Sequence, residues 1–292
     1  MVDKRGIGDY IFDFFNVLIL ILLTIVTLYP FLYVVSASFS KTGMMQGASL
    51  IPHGGVSLEA YKLVFMNPNI LTGYVNTIII LVCGTTLNLF LTSMGAYIVS
   101  RKQFALRKPL MLMMIFTMYF SGGMIPRYLL INNTLGLGNN LLALILPGAI
   151  SVYNLIVMRT NFENIPVSLE ESARLDGAND FTILFRIILP LSKAIIAVMV
   201  LFYGVAHWNA WFDAVLFIRE RNMYPLQIIL REILISSSTE SMMTGVAGGD
   251  QFAMSENIKY ATIIVATLPI LAVYPFIQKY FVKGVMIGAV KG

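Results

Sequence analysis

Residues 166–190 read PVSLEESARLDGANDFTILFRIILP, and this stretch decides the fold. It predicts two short helices joined by a turn. Ser168 and Glu171 have the spacing of a capping box, in which each side chain bonds a backbone amide that lacks a helical partner. Gly177 is placed to end the first helix, because glycine adopts a positive φ at little cost.

The second helix of the pair has its own start and stop signals. Asn179 or Asp180 is placed to cap it, since both side chains accept hydrogen bonds from free backbone amides. We expect this helix to run through Arg186 and to end at Pro190. The first helix carries charged and small residues and has little apolar reason to lie on lipid, so we expect it to project into water.

Long apolar runs flank this helix pair. A helix needs about 20 mostly apolar residues to cross a hydrocarbon core, because each residue rises about 1.5 Å. Six runs are about that long: Phe12–Val35, Leu71–Val99, Pro109–Leu130, Asn140–Met158, Ala194–Ile218 and Ile258–Tyr280. The sequence therefore predicts an all-α membrane protein with six transmembrane helices.

The composition of the 292-residue chain is that of a membrane protein. Only 12% of its residues are charged and 58% are hydrophobic, whereas a soluble domain averages about 25% charged residues. With a mean hydropathy of +0.79, a soluble fold of this size would expose large apolar patches. A disordered chain, a nucleic-acid-binding module and an ordinary soluble enzyme are excluded.

Lysine and arginine are divided unevenly between the two sides of the predicted membrane domain. Thirteen of the 20 fall on the side that holds both termini and residues 166–190. Basic residues concentrate in cytoplasmic loops, so we expect that side to be cytoplasmic. The predicted organisation is a cytoplasmic N-terminus over residues 1–11, a transmembrane domain over 12–281 and a cytoplasmic tail over 282–292.

The third apolar run is interrupted in its outer half. Ser121, Gly122 and Gly123 are followed by Pro126. Glycine lowers helix propensity and proline removes a backbone donor. We expect either a simple helix end at Gly122 or a kink that lines a pathway, because freed backbone groups at membrane depth need protein or water as partners.

Two long loops lie on the predicted outer side. Residues 36–70 are rich in turn residues, and a short surface helix is expected over Leu58–Phe65. Residues 219–257 begin with an amphipathic stretch, Pro225–Ile235, and continue with Ser236–Met254, which is rich in serine, glycine and methionine. We expect the second stretch to be mobile unless a partner binds it.

Residues for catalysis or metal binding form no recognisable pattern. The two histidines, His53 and His207, lack the spacing of a metal site. No Gly-x-x-x-x-Gly-Lys-Ser/Thr loop for phosphate occurs. We predict that the chain is not an enzyme and holds neither a metal nor a cofactor.

The helix pair carries the pattern Glu-Ala-Ala, three residues, Gly, nine residues, Ile, one residue, Leu-Pro, with serine at one alanine position. It resembles the Glu-Ala-Ala loop (EAA loop) of ABC importer membrane subunits. The resemblance implies the type I permease fold of these importers, with the loop docked on cytoplasmic ATPase subunits. The residues expected to make or support that contact are Glu170, Glu171, Ser172, Ala173, Asp176, Gly177, Leu189 and Pro190.

The resemblance covers nearly the whole chain and is to carbohydrate-uptake permeases, such as those of maltose and polysaccharide importers. The residues that fit are Asn76-Thr77, Ala96-Tyr97, Ser100-Arg101, Met158-Arg159, Trp208-Asn209, 280–284 and 288–292. The tail residues that this resemblance brings to the ATPase subunits are Lys283, Gly284, Gly288 and Lys291. The alternative for the tail is a frayed basic segment near anionic lipid.

The resemblance also implies the partners. We expect a homologous but different permease subunit, two cytoplasmic ATP-binding subunits that hold ATP and Mg²⁺, and an extracytoplasmic solute-binding protein that docks near Ser236–Met254. The expected substrate is a saccharide, the location is the bacterial cell membrane with its lipid, and no nucleic acid is involved. Alternatives are an importer for an amino acid or phosphate, and an ion-driven secondary carrier, which has no reason to keep residues 171–190.

Polar and aromatic residues in the fifth apolar run are candidates for the substrate pathway. Aromatic faces bind the apolar face of a sugar ring, and amides or carboxylates bind its hydroxyls. Trp208, Asn209, Trp211 and Asp213 cluster there, with Asn209 and Asp213 expected on one helix face. The alternative is that His207 and Trp208 pack or lie at the interface while Asp213 lies near outer water. Asn76 is a further candidate, although such residues more often bond helices to one another.

Overall fold

The computed structural model describes residues 6–41, 50–52, 54–243 and 249–289. Within these ranges the chain is helical, with one isolated β-bridge between Ser40 and Val56 and no strand. The helices are α1 (Ile7–Ser38), α2 (Glu59–Met66), α3 (Pro68–Ser100), α4 (Arg107–Tyr119), α5 (Met124–Leu129), α6 (Leu142–Ile145), α7 (Val152–Glu163), α8 (Val167–Leu175), α9 (Asp180–Ile183), α10 (Leu189–Leu191), α11 (Lys193–Asn209), α12 (Phe212–Phe217), α13 (Leu226–Met243) and α14 (Gly249–Ala289).

Six segments of the described chain are long and apolar enough to cross a membrane, if each bent helix pair counts as one span. Three are single helices, namely α1, α3 and the Glu256–Pro275 part of α14. The bent pairs are Arg107–Tyr119 with Met124–Thr134 (111°), Leu142–Gly148 with Val152–Glu163 (50°), and Asp180–Leu191 with Lys193–Asn209 (88°). The prediction of an all-α protein with six transmembrane helices is confirmed.

The third span is bent at the glycines that predict an interruption. α4 ends at Tyr119, α5 begins at Met124, and Gly123 between them has a φ of +87°. Glycine has no Cβ, so it adopts this conformation without strain. The chain therefore turns into a second helix instead of coming to a simple helix end.

The fifth span differs from its prediction. α11 ends at Asn209, Ala210 is extended, and α12 begins at Phe212. The expectation of one helix over Ala194–Ile218 is therefore wrong, and so is that of a single helix face shared by Asn209 and Asp213. Neither glycine nor proline marks this break, although His207, Asn209 and Asp213 make the run more polar there.

The long outer loops contain more helix than their composition suggests. The short helix expected over Leu58–Phe65 is confirmed as α2. α13 continues to Met243 and α14 begins at Gly249, so residues 236–243 and 249–254 are helical, and the expectation of a loop over these residues is wrong. The other residues of Ser236–Met254, 244–248, lie outside the described residues. Serine costs a helix only about 0.5 kcal/mol relative to alanine, which neighbouring good helix formers offset.

The chain divides into two compact units, Met1–Asn67 with Leu230–Leu268, and Pro68–Ile229 with Pro269–Gly292. In the first unit the hydroxyls of Ser38 and Tyr61 lie 2.7 Å apart. There, too, the amide of Asn257 donates to the backbone carbonyl of Ser40 at 2.8 Å.

The second unit is built around α3, which packs against α7 and α11. Its apolar core includes residues from these three helices and from the second helix of the 166–190 pair: Tyr97, Leu155, Met158, Phe162, Ile183, Leu184, Ile188 and Tyr203. The helix pair is therefore anchored in the same core as the spans.

Candidate functional site

The first helix of the 166–190 pair forms as predicted, apart from its N-terminal cap. Pro166 occupies the cap position of α8, and no side chain caps the helix. The capping box expected from Ser168 and Glu171 is therefore wrong. Proline already has the φ that a first helical turn needs, so the helix starts before Ser168 and places its side chain inside the first turn.

The turn at Gly177 has the geometry that its sequence predicts. Gly177 has a φ of +83°, its amide donates to the carbonyl of Arg174 at 3.0 Å, and the amide of Ala178 donates to that of Ala173 at 2.9 Å. These two bonds form a Schellman motif. A Cβ on Gly177 would meet no atom within 4 Å, so glycine is required here for its backbone conformation and not for space.

The second helix is capped by Asn179, as predicted. Its side-chain oxygen accepts a hydrogen bond from the amide of Thr182 at 2.8 Å. The helical segment continues to Leu191, one residue beyond Pro190, and then bends by 88° into α11. Leu189 is half-buried and Pro190 is exposed.

α8 has a buried face and an exposed face. Glu170 and Ala173, one turn apart, are buried. Six residues from Glu171 to Gly177 are exposed, namely Arg174 and five residues that are here called the loop tip: Glu171, Ser172, Leu175, Asp176 and Gly177. Leu175 is 90% exposed, so the loop tip presents an apolar side chain among charged ones.

Glu170 points away from the loop tip and into the protein. It is 4% exposed, and its carboxylate pairs with the guanidinium of Arg101, the residue that follows α3. Burial raises the pKa of Glu170, and the positive charge of Arg101 opposes that rise. Sequence reasoning grouped Glu170 with Glu171, because spacing along one short helix does not reveal a partner so distant in the chain.

Asp180 connects the second helix to the same end of α3. The hydroxyl of Tyr97 donates to its carboxylate at 3.5 Å, and the guanidinium of Arg174 forms an ion pair with it. Arg101 lies over the ring of Tyr97, 4.7 Å from its centroid. Both helices of the pair therefore contact the last turn of α3 through charged side chains.

Buried polar residues join α3 to the neighbouring spans. The amide of Asn88 donates to the carbonyls of Gly148 and Ala149 at 2.7 and 2.9 Å, and its oxygen lies 2.7 Å from Nε2 of His207. The hydroxyls of Thr92 and Tyr203 lie 2.7 Å apart. These bonds link the second span to the fourth and the fifth.

Two of the candidate pathway residues serve the packing of the chain. Trp208 is 6% exposed, and its ring centroid lies 6.1 Å from that of Tyr74. The amide of Asn76 donates to the carbonyls of Asn222 and Tyr224 at 2.7 and 3.1 Å. In this conformation Asn76 therefore bonds α3 to the segment before α13.

The other three pathway candidates lie at the break after α11. Asn209 is exposed at the end of that helix, and Trp211 is half-buried beside Phe212, with ring centroids 5.5 Å apart. Both carboxylate oxygens of Asp213 accept hydrogen bonds from Arg127 on α5, at 2.9 and 2.7 Å. Sequence reasoning missed Arg127, although an arginine inside an apolar run next to Pro126 is a signal of a functional partner.

The predicted tail lies at the end of the last helix. Lys283, Gly284 and Gly288 belong to α14, whereas Lys291 lies outside the described residues. In the part of the chain that the structure describes, no group of three or more His, Cys, Asp or Glu residues is placed to hold a metal ion.

Comparison with known proteins gives consistent matches. The family model described as "Binding-protein-dependent transport system inner membrane component" matches residues 104–287. The polygalacturonan/rhamnogalacturonan transport system permease protein YtcP of Bacillus subtilis is 42% identical over 97% of this chain and 99% of that protein. The maltodextrin transport system permease protein MdxG of the same organism is 27% identical over 94% and 95% of the two chains.

A solved structure has the same fold. It is a chain from the crystal structure of a bacterial ABC transporter involved in the import of the acidic polysaccharide alginate. It matches with a TM-score of 0.84 and 31% identity, over 96% of this chain and 100% of that one.

Proposed function

This chain belongs to the family of binding-protein-dependent transport system inner membrane components, and on that premise we propose that it forms half of the translocation pathway of an ATP-driven saccharide importer. It is a membrane permease subunit of the ABC importer class, and such subunits are not themselves enzymes. The energy for transport then comes from separate subunits that hold ATP and Mg²⁺.

The loop tip is the observation that carries this proposal. Glu171, Asp176 and the 90% exposed Leu175 offer charge and an apolar side chain together. Ser172 and Gly177 are small enough for a partner's backbone to approach closely. A short helix of this kind suits a cleft on a cytoplasmic ATPase subunit, where a basic group would pair with Glu171. Tail residues Lys283, Gly284, Gly288 and Lys291 are proposed as a second contact.

A saccharide substrate is supported by the names of the relatives. One is a permease for polygalacturonan or rhamnogalacturonan and another for maltodextrin, and the solved relative belongs to an alginate importer. Asn209 and Trp211 remain candidates for contact with a sugar. Asp213 would act together with Arg127, because both of its oxygens already accept hydrogen bonds from that guanidinium.

The remaining partners follow from this assignment. We expect a different but homologous permease subunit, two ATP-binding subunits and an extracytoplasmic solute-binding protein that contacts the 219–257 region. The N- and C-termini and the 166–190 pair would lie on the cytoplasmic side of the bacterial cell membrane, in agreement with the excess of lysine and arginine there.

Co-purification of the ATP-binding subunits tests the proposed contact. The permease is expressed with the ATPase and the second permease subunit of its importer, and the ATPase recovered with the tagged chain is quantified. Glu171→Lys should remove most of the bound ATPase, because truncating or inverting a buried charge partner costs roughly 2–5 kcal/mol. Glu163→Gln, which changes a carboxylate on α7 outside the 166–190 pair, should retain it. Equal recovery from Glu171→Lys and wild type would refute the contact.

A further inference from the structure

Two residues that carry the family resemblance, Tyr97 and Arg101, do not belong to the loop tip. Tyr97 is 5% exposed, and the side chain of Arg101 is 18% exposed. Neither offers a broad surface to a docking protein. Both instead contact the inner side of the helix pair, so they act through contacts within this chain.

Their contacts join α3 to both helices of the pair. Arg101 pairs with Glu170 of α8, and the hydroxyl of Tyr97 contacts Asp180 of α9 at 3.5 Å. Arg174 of α8 pairs with Asp180 across the Gly177 turn. The helices on the two sides of the turn are thereby tied to each other and to one end of the second span.

The pair of Glu170 and Arg101 is better suited to fixing a position than to stabilising the fold. Bringing two charges out of water costs about as much as their attraction returns. Within the described chain, Nε and Nη2 of Arg101 are buried without an acceptor, so Glu170 supplies the hydrogen bonding of this guanidinium. The contact therefore sets which residue of α8 lies against the end of α3.

α3 carries the constraint further into the membrane domain. Along this helix, Thr92 meets Tyr203 of α11, and Asn88 meets His207 of α11 and the carbonyl of Gly148. The backbone of α3 therefore connects the contacts with α8 to the contacts with the fourth and fifth spans. Packed side chains, hydrogen bonds and rigid helices of this kind carry energetic coupling between distant sites.

We propose that Arg101 is a positioning residue for energy coupling, and that its pair with Glu170 transmits displacement of α8 to α3 and from there to the fourth and fifth spans. This inference rests on the proposed function, since α8 is displaced only if an ATPase subunit binds the loop tip. Glu170 then acts from the inner face of the helix, whereas Glu171 acts from its exposed face.

The test measures saccharide uptake and ATP hydrolysis together. The complete importer with its binding protein is reconstituted in liposomes, and uptake of a labelled galacturonan oligosaccharide per ATP hydrolysed is determined. Arg101→Gln should keep ATP hydrolysis near the wild-type rate but lower uptake per ATP about tenfold, a typical size for coupling between sites. The charge exchange Arg101→Glu with Glu170→Arg should restore most of the ratio.

Glu163→Gln is the matched control. It removes the ion pairs with Arg107 and Arg159 at the same side of the protein, and neither of these pairs involves α8. Its ratio of uptake to hydrolysis should equal that of wild type. A proportional loss of both activities in Arg101→Gln, or an unchanged ratio, would overturn the transmission role. If the wild-type importer takes up no oligosaccharide, the proposed function itself fails.

Discussion

Arg127 and Asp213 form a two-point ion pair, with Nη1 to Oδ1 at 2.9 Å and Nη2 to Oδ2 at 2.7 Å. Arg127 lies on α5, just after the bend of the third span, and Asp213 lies in the first turn of α12, just after the break of the fifth. The pair therefore connects the two segments that follow interruptions in the spans. Arg127 also lies 6.0 Å from the ring centroid of Phe217.

The first prediction concerns the geometry of this pair. The two side chains are 42% and 29% exposed, so their mutual contribution to the free energy of unfolding should be about 1 kcal/mol. A double-mutant cycle with Arg127→Gln and Asp213→Asn, measured by denaturant unfolding of the purified importer, should return that coupling energy. Arg127→Lys should recover only part of it, because lysine lacks the planar fork. Additive effects of the two single changes would contradict the pairing.

The second prediction concerns the turn of the helix pair. Asparagine tolerates a positive φ far better than valine, which has a branched Cβ. With its φ of +83°, Gly177 should therefore be replaceable by asparagine with moderate loss of ATP-driven uptake, whereas Gly177→Val should abolish it. Gly122→Ala is the control, because Gly122 also has free space around it but no positive φ. Equal activity of the asparagine and valine variants would show that the backbone conformation is not what matters.

A third prediction concerns the close approach of α3 and α11. A Cβ on Gly84 would lie 2.5 Å from Nε2 of His207, the atom that bonds Asn88. Gly84→Ala should displace the imidazole, break that bond and lower the free energy of unfolding by about 1–3 kcal/mol. Gly204→Ala, on α11, would meet no atom within 4 Å and should be neutral or stabilising. Thermal unfolding of the two variants measures the contrast, and equal melting temperatures would argue against the packing described.

The helix pair and the spans differ in how much their sequences reveal. The turn at Gly177 and the cap at Asn179 depend on neighbours in the chain, so spacing alone predicts both. The partner of Glu170 does not follow from spacing, because Arg101 is brought to it by the packing of α3. The break at Ala210 is also hard to predict, since no glycine or proline marks it and the polar residues around it, His207, Asn209 and Asp213, do not by themselves indicate a helix end.

A fourth prediction concerns the dependence of stability on pH. Burial raises the pKa of Glu170 above its ordinary value of 4.5, against the opposing charges of Arg101 and Arg174. The folded protein therefore binds this proton more tightly than the unfolded chain does. The contribution of this protonation to the free energy of unfolding is complete below pH 4.5 and is lost as the pH rises through the folded-state pKa of Glu170.

Glu170→Gln removes this contribution and leaves the facing groups Tyr97, Arg101, Arg174 and Asp180 in place. The melting temperature of wild type relative to that of the variant should rise as the pH is lowered from 7 toward about 4.5. A constant difference over this range, or one of opposite sign, would show that Glu170 is not buried as described.

Uptake by liposomes of defined composition tests the central claim most directly. The claim is that the loop tip couples ATP hydrolysis by other subunits to the movement of a saccharide through this chain and its partner permease. Liposomes that hold all subunits and the binding protein should accumulate a galacturonan oligosaccharide only when ATP is present on the side of the membrane that carries the ATPase subunits. Vanadate or the Gly177→Val substitution should stop this accumulation. Accumulation by liposomes that contain this chain alone, without ATP, would contradict the claim.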